Sequence, residues 1–208
     1  MYKTLLTQLT GCALVLSLFA LQPAAASASA TRVDVTDVGV RLYVFNCGDF
    51  LFPSVQNFGV GDNETTVREL VVPCYVIEHP KGTLLWDGGL PSAVADMPGW
   101  QRNPENGTQF RLQRTLQDQL LGMDLGFDLT NIDLAAFSHI HSDHVGVANG
   151  LITATWLVQR GDYHVVANDA AVPAYDPALL ADIRKRPTQV LDGDFDVFGD
   201  GTVRLIAA

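Results

Sequence analysis

Six consecutive residues, His139-Ile-His141-Ser-Asp143-His144, hold three of the chain's five histidines and one of its nineteen aspartates. At the chain's own His and Asp frequencies such an arrangement arises about 3 × 10⁻⁴ times by chance, so the fold has to be built around it. Residues i and i+2 of an extended segment project the same way, so His139 and His141 can offer two imidazoles to one ion. Asp143 and His144 follow where the chain turns and face a neighbouring position. Imidazole and carboxylate suit zinc, and hydrolytic zinc sites keep one position open for water. The alternative is a polar loop or a hydrogen-bonded cluster. Four such groups packed together without an ion would repel one another or stay unsatisfied, which favours the metal.

The rest of the chain has to deliver that segment at the end of a strand. Period-two alternation of Val and Leu from Val33 to Phe45 predicts two short strands or one broken strand. Cys47 to Thr66 reads as a long loop, Glu69 to His79 as a strand, and Thr83 to Trp86 as its hairpin partner across Pro80-Lys81-Gly82. Leu112, Leu116 and Leu120 predict an amphipathic helix from Thr108 to about Gly122. Strands are expected over Asp133 to His139, Ala154 to Gln159, Gln189 to Leu191 and Val203 to Ile206, with a helix over Asp176 to Arg186. Helices placed among many strands indicate an α/β layered domain.

Residues 1–30 read as a secretory signal peptide: Lys3, an apolar run from Cys12 to Leu21, and the small-residue site Ala28-Ser29-Ala30. Residues 31–208 are then the mature domain, in a secreted or periplasmic compartment with no membrane attachment after cleavage. A formal charge of −10 makes nucleic acid and anionic lipid poor partners. An oxidising compartment permits a Cys47–Cys74 disulfide. Val-Pro-Cys74-Tyr-Val-Ile reads instead as a buried strand in which the thiol is a small apolar side chain.

His139-x-His141-x-Asp143-His144-x-Gly146 resembles the metal motif of the metallo-β-lactamase superfamily, and Leu84-Leu85-Trp86-Asp87-Gly88-Gly89 resembles that superfamily's first motif. More narrowly the chain is similar to the N-acyl-homoserine lactonases, on Leu42-Tyr43-Val44, Pro73-Cys74-Tyr75-Val76-Ile77-Glu78, Val158-Gln159-Arg160 and Leu191-Asp192-Gly193-Asp194. The resemblance implies an αββα sandwich of the metallo-β-lactamase type, here its N-terminal part. It implies a quorum-quenching hydrolase with two zinc ions per complete domain that opens a small-molecule lactone. His139, His141, Asp143 and His144 are the metal ligands it implies, with Asp143 also catalytic, orienting the nucleophile and passing a proton to the leaving alkoxide. Hydrolysis of a β-lactam, thioester or related ester or amide is the alternative on the same fold. The family's next motif, a Thr-Pro-Gly-His-like turn, is expected about where the chain stops at Ala208, so an inactive C-terminally incomplete fragment is a further expectation. Ser142 departs from the bulky residue that lactonases often carry there.

Four minor expectations accompany the motif. Asp87 should be a carboxylate fixing a histidine tautomer beneath the metal. His79 should be exposed, and His164 should lie on a surface helix; only tight zinc binding and lactone turnover by residues 31–208 would mean that other ligands, such as His164 or Asp162, complete the site. Trp86, Trp100 and Trp156 should pack in the core or loops.

Overall fold

The computed structural model describes residues 31–35 and 39–208; the expected signal peptide lies outside the described residues. Strand β1 (Thr31–Val35) pairs antiparallel with β2 (Val40–Leu51), β2 with β3 (Glu69–His79), and β3 with β4 (Gly82–Trp86). Strands β5 (Gln101–Arg102) and β6 (Gln109–Arg111) return to the far half of β2, and helix α1 (Leu116–Leu121) packs beside them. From there the pairing becomes parallel: β7 (Leu134–Ala136) joins β4, β8 (Thr155–Gln159) joins β7, and β9 (Thr188–Leu191) joins β8. Helix α2 (Arg160–Ala167) follows β8 directly. The order across this sheet is β5-β6-β2-β3-β4-β7-β8-β9, with β1 also beside β2. A separate hairpin joins β10 (Phe195–Asp196) to β11 (Arg204–Leu205).

Both faces of the large sheet are apolar, and neighbouring leucines of β4 show how. Leu85 points into the larger cluster with Tyr43, Phe45, Val76 and Trp156, closed by Leu116 and Leu120 of α1. Leu84 points the other way, to Ala136, Leu157 and Leu191, where Leu205, Phe195 and Val203 of the hairpin segment lie against it. A strand buried on both faces reads as a continuous apolar run, and Leu84-Leu85-Trp86 is one. Helices on one face and a second β-layer on the other give the expected metallo-β-lactamase-type architecture. Among the described residues, no helix is long and apolar enough to cross a membrane.

Four local expectations are corrected. The expected loop after Phe45 is β-strand as far as Leu51: Asn46 accepts from the Gly48 amide and donates to Asp49, stabilising a bulge that carries β2 on. The expected helix from Thr108 begins only at Leu116. Gln109–Arg111 pairs with β2 instead, and Thr115 caps the helix by accepting from the Asp118 amide. The segment 176–186 forms two 3-10 turns, Pro177–Leu180 and Ile183–Lys185, and the three-residue spacing of buried Leu180 and Ile183 suits that tighter winding. His79 is buried rather than exposed. Its ring stacks on Phe198 at 4.1 Å, and its Nε2 lies 3.1 Å from Asp200, which also holds Lys81.

Candidate metal centre

Strands β4 and β7 are parallel neighbours, so their carboxyl ends open side by side, the usual place for a site in such sheets. At the end of β4 the chain reverses through Asp87-Gly88-Gly89, with Asp87 at φ +60° and Gly89 at φ +65°. At the end of β7 it runs through Ser138 into the His139–His144 loop. The two segments are laced together backbone to backbone. Asp87 N donates to Ala136 O (3.0 Å), Gly88 N to His144 O (2.5 Å) and Gly146 N to Gly89 O (2.9 Å). A Cβ at Gly146 would fall inside contact distance of the Leu90 and Gly89 carbonyl atoms, which is why that position has none.

The Asp87 carboxylate, 6% exposed, organises the polar side chains. Its Oδ1 accepts from the Ser138 amide (2.7 Å), and its Oδ2 accepts from the Ser138 hydroxyl (3.0 Å) and lies 2.9 Å from His144 Nδ1. A carboxylate there places the proton on Nδ1 and leaves Nε2 as the free donor atom, the role expected of Asp87. That Nε2 faces Asp143 Oδ2 at 3.5 Å. The His139 ring lies 4.4 Å from the His141 ring and 4.0 Å from the His144 ring, centroid to centroid. The four expected ligands are thus gathered, although no group of three or more His, Cys, Asp or Glu among the described residues has the arrangement of a formed metal site. By type the donors fit a borderline divalent cation such as zinc: three imidazoles, one carboxylate, and one ring already oriented from behind.

Electrostatics separates the histidines. Burial holds His139 below the ordinary histidine value, and the neighbouring His144 and His141 rings push it further down. Burial pulls His144 the same way, but the hydrogen bond and charge of Asp87, with the charge of Asp143, more than offset it and raise the ring above that value. Asp162, in the first turn of α2, is raised by burial while the nearby His141 opposes the shift. It therefore lies within electrostatic reach of the cluster, whereas His164, two residues on, is exposed.

Two cavities border the loop. One, of about 680 Å³, is lined by Ser142 and Asp143 together with Phe50, Leu90, Phe110 and Tyr175. The other, of about 570 Å³, is lined by Ser138, His139 and Asp162 with Trp86, Gln159 and Leu157. Trp156 is core and Trp100 stacks under the Arg111 guanidinium, as expected of structural tryptophans.

Sequence reasoning missed one feature of this region and favoured the wrong alternative at another. Ser138 reaches Asp87, His139 and His144 at once, and an isolated serine gives no signal of that. Cys47 and Cys74 are joined as a disulfide with Cα atoms 5.8 Å apart, not buried as a free thiol. Cys47 sits in the unforeseen bulge of β2, between Asn46 and Asp49, so the register that brings it to Cys74 on β3 was hidden.

The sequence profile of the metallo-beta-lactamase superfamily matches residues 67–208. The N-acyl homoserine lactonase AttM of Rhizobium johnstonii is 31% identical over 183 residues, covering 80% of this chain, and AttM of Azorhizobium caulinodans is 29% identical over 181. The chain spans 65% of the length of each. Among solved structures, a variant of Bacillus thuringiensis AiiA with N-decanoyl-L-homoserine bound at its active site superposes with a TM-score of 0.59 at 21% identity, covering 86% of this chain and 65% of that one. The dizinc quorum-quenching lactonase AidC superposes with a TM-score of 0.53 at 13% identity, covering 79% and 61%.

Proposed function

Since this chain belongs to the metallo-beta-lactamase superfamily, we propose that it is the core of an exported zinc-dependent hydrolase that opens the lactone ring of N-acyl-homoserine lactones. The observation that carries the reading is the imidazole and carboxylate cluster whose Asp143 contributes a wall to a cavity of about 680 Å³ with Phe50, Leu90 and Phe110 on its apolar side. An acylated lactone has the matching shape: a polar ring to be attacked and an apolar chain to be buried. The AttM and AiiA relatives support the choice of substrate class. His139, His141, Asp143 and His144 would hold the metal, with Asp162 within electrostatic reach of His141. Bound zinc supplies a Lewis acid and lowers the pKa of water to near neutral.

The chain's own residues do the rest. Asp87 keeps the His144 proton on Nδ1, with Ser138 as a third partner to both. Asp143 faces the cavity, where its carboxylate orients the attacking water, takes its proton and passes it to the ring oxygen as the alkoxide leaves. Phe50, Leu90 and Phe110 exclude water from the acyl side. A net charge of −10 leaves nucleic acid aside, and the disulfide supports an oxidising, extracytoplasmic location.

Zinc content and turnover test the reading together. Wild-type protein, His139→Ala and His141→Ala are dialysed against zinc, analysed for bound metal, and assayed on panels of acyl-homoserine lactones, β-lactams and thioesters. Each variant should lose most of one zinc, and turnover should be confined to lactones. Unchanged zinc in both variants would remove the ligand assignment. Turnover of β-lactams or thioesters in place of lactones would assign the alternative hydrolysis.

A further inference from the structure

The Asp87-Gly88-Gly89 turn has the metal loop on one side and the Cys47–Cys74 disulfide on the other. Gly89 N–Cα–C runs so close over the bridge that a Cβ there would collide with Cys47 Cβ and approach Cys47 O at 2.7 Å and Cys74 Sγ at 3.1 Å. The next amide, Leu90 N, donates to Cys47 O at 3.0 Å. On its other side the same glycine accepts from Gly146 N (2.9 Å), while Gly88 N donates to His144 O and Asp87 holds the His144 ring. Both cysteines are buried, at 2% and 0% exposure, so nothing beneath the turn can yield into solvent.

We propose that the Cys47–Cys74 disulfide is a positioning element of the metal centre, the seat that fixes the Asp87–Gly89 turn and through it the His139–His144 loop, so that metal retention depends on the oxidised state of the pair. The reason is steric. Two thiols cannot remain at the separation of bonded sulfurs, so reduction displaces Cys47 or Cys74, and Gly89 packs against both with no room for even a methyl group between. Its displacement acts on both backbone links to the loop and on the carboxylate that sets the His144 tautomer. The inference rests on the zinc reading above.

Three protein forms test it: oxidised wild type, wild type reduced in urea with a water-soluble phosphine and refolded in its presence, and Cys47→Ala/Cys74→Ala. Reduction cleaves the S–S bond with two electrons from phosphorus and two protons, and the phosphine leaves as its oxide with oxygen from water. Zinc affinity is measured by competition with a chromophoric chelator, ligand geometry by the visible bands of the cobalt-loaded protein, and folding by far-UV circular dichroism and Tm. The reduced and double-variant proteins should bind zinc about 10- to 100-fold more weakly, as for other perturbed groups behind metal ligands, with altered cobalt bands in the protein that remains folded. If one of the two forms fails to refold, the other carries the comparison. A lower Tm with unchanged zinc affinity and unchanged cobalt bands would make the bridge a general staple and overturn the proposal. No zinc bound by the oxidised protein would overturn the metal reading and this inference with it, an outcome distinct from equal binding by all three forms.

Discussion

Alanine at Gly146 and at Gly161 should change stability in opposite directions, although the covalent change is the same. At Gly146 the added methyl meets the carbonyl atoms of Leu90 and Gly89, backbone that cannot rotate aside. The loop must move away from the turn. Overpacking of that kind costs about 1–3 kcal/mol, and the Gly146 N to Gly89 O bond that would be stretched contributes about 1 more. Destabilisation should therefore reach about 2–4 kcal/mol, a fall in Tm of about 4–16 °C for a domain of this size. At Gly161, inside α2, nothing lies within 4 Å of the added carbon. There the change restricts the unfolded chain and adds helix propensity, a gain of about 0.4–1 kcal/mol. Urea unfolding of the two metal-free variants beside wild type reads both signs. A Gly146→Ala protein within about 0.5 kcal/mol of wild type would show that loop and turn are not in rigid contact, and the argument for how the site is held would fail.

Other outcomes follow from the same geometry. Asp87→Asn should weaken zinc binding about 10- to 100-fold by surrendering the acceptor of the His144 proton, measurable by chelator competition; unchanged affinity would refute that role. Trp156→Ala, at a fully buried position, should cost about 3–5 kcal/mol in urea unfolding, and a cost below 1 would mean that the cluster around it collapses freely. In metal-free protein the raised His144 contributes stability that is full below its unfolded value of about 6.5 and lost as pH rises through its folded value. The depressed His139 does the reverse at lower pH: it costs stability below its folded value, and the cost disappears as pH rises to the unfolded value of about 6.5. His139→Asn should therefore lack the rise in stability that wild type shows as pH climbs towards about 6.5, and parallel denaturation curves for the two proteins at about pH 5 and about pH 7 would contradict the assignment.

Much of this was legible in the sequence because strands and metal spacing are local signals. Glu69–His79 is bounded correctly by its flanking turn residues, and the approach of the His139 and His141 rings follows from i and i+2 geometry. What was not legible depends on distant partners. Gln109–Arg111 has the periodicity of a helix start but is claimed by the free edge of β2, where Phe110 lies opposite Phe50. Cys47 is bonded and Gly48 bulged because of a register set by β3. His79 sits beside a turn, normally a solvated place, and is buried because a hairpin more than a hundred residues later folds over it. Tertiary context overrode the local preference in each case.

That hairpin's grip on His79 has a consequence for how the molecule comes apart. Phe198, Asp200 and Lys81 close a long loop of chain, and closure entropy grows only with the logarithm of length, so the separation itself costs little. Yet every anchor of β10 and β11 to the β3–β4 corner is a side-chain contact or a lysine reaching a carbonyl, while the large sheet is bound by continuous ladders. Stability is then graded across the two layers. The hairpin should be the unit that opens first, exchanging its amide hydrogens faster than the ladders of the large sheet. Such an opening would uncover Leu84, Ala136 and Leu157, and because Leu205 also lines the cavity beside His139 it would widen that space at the same time.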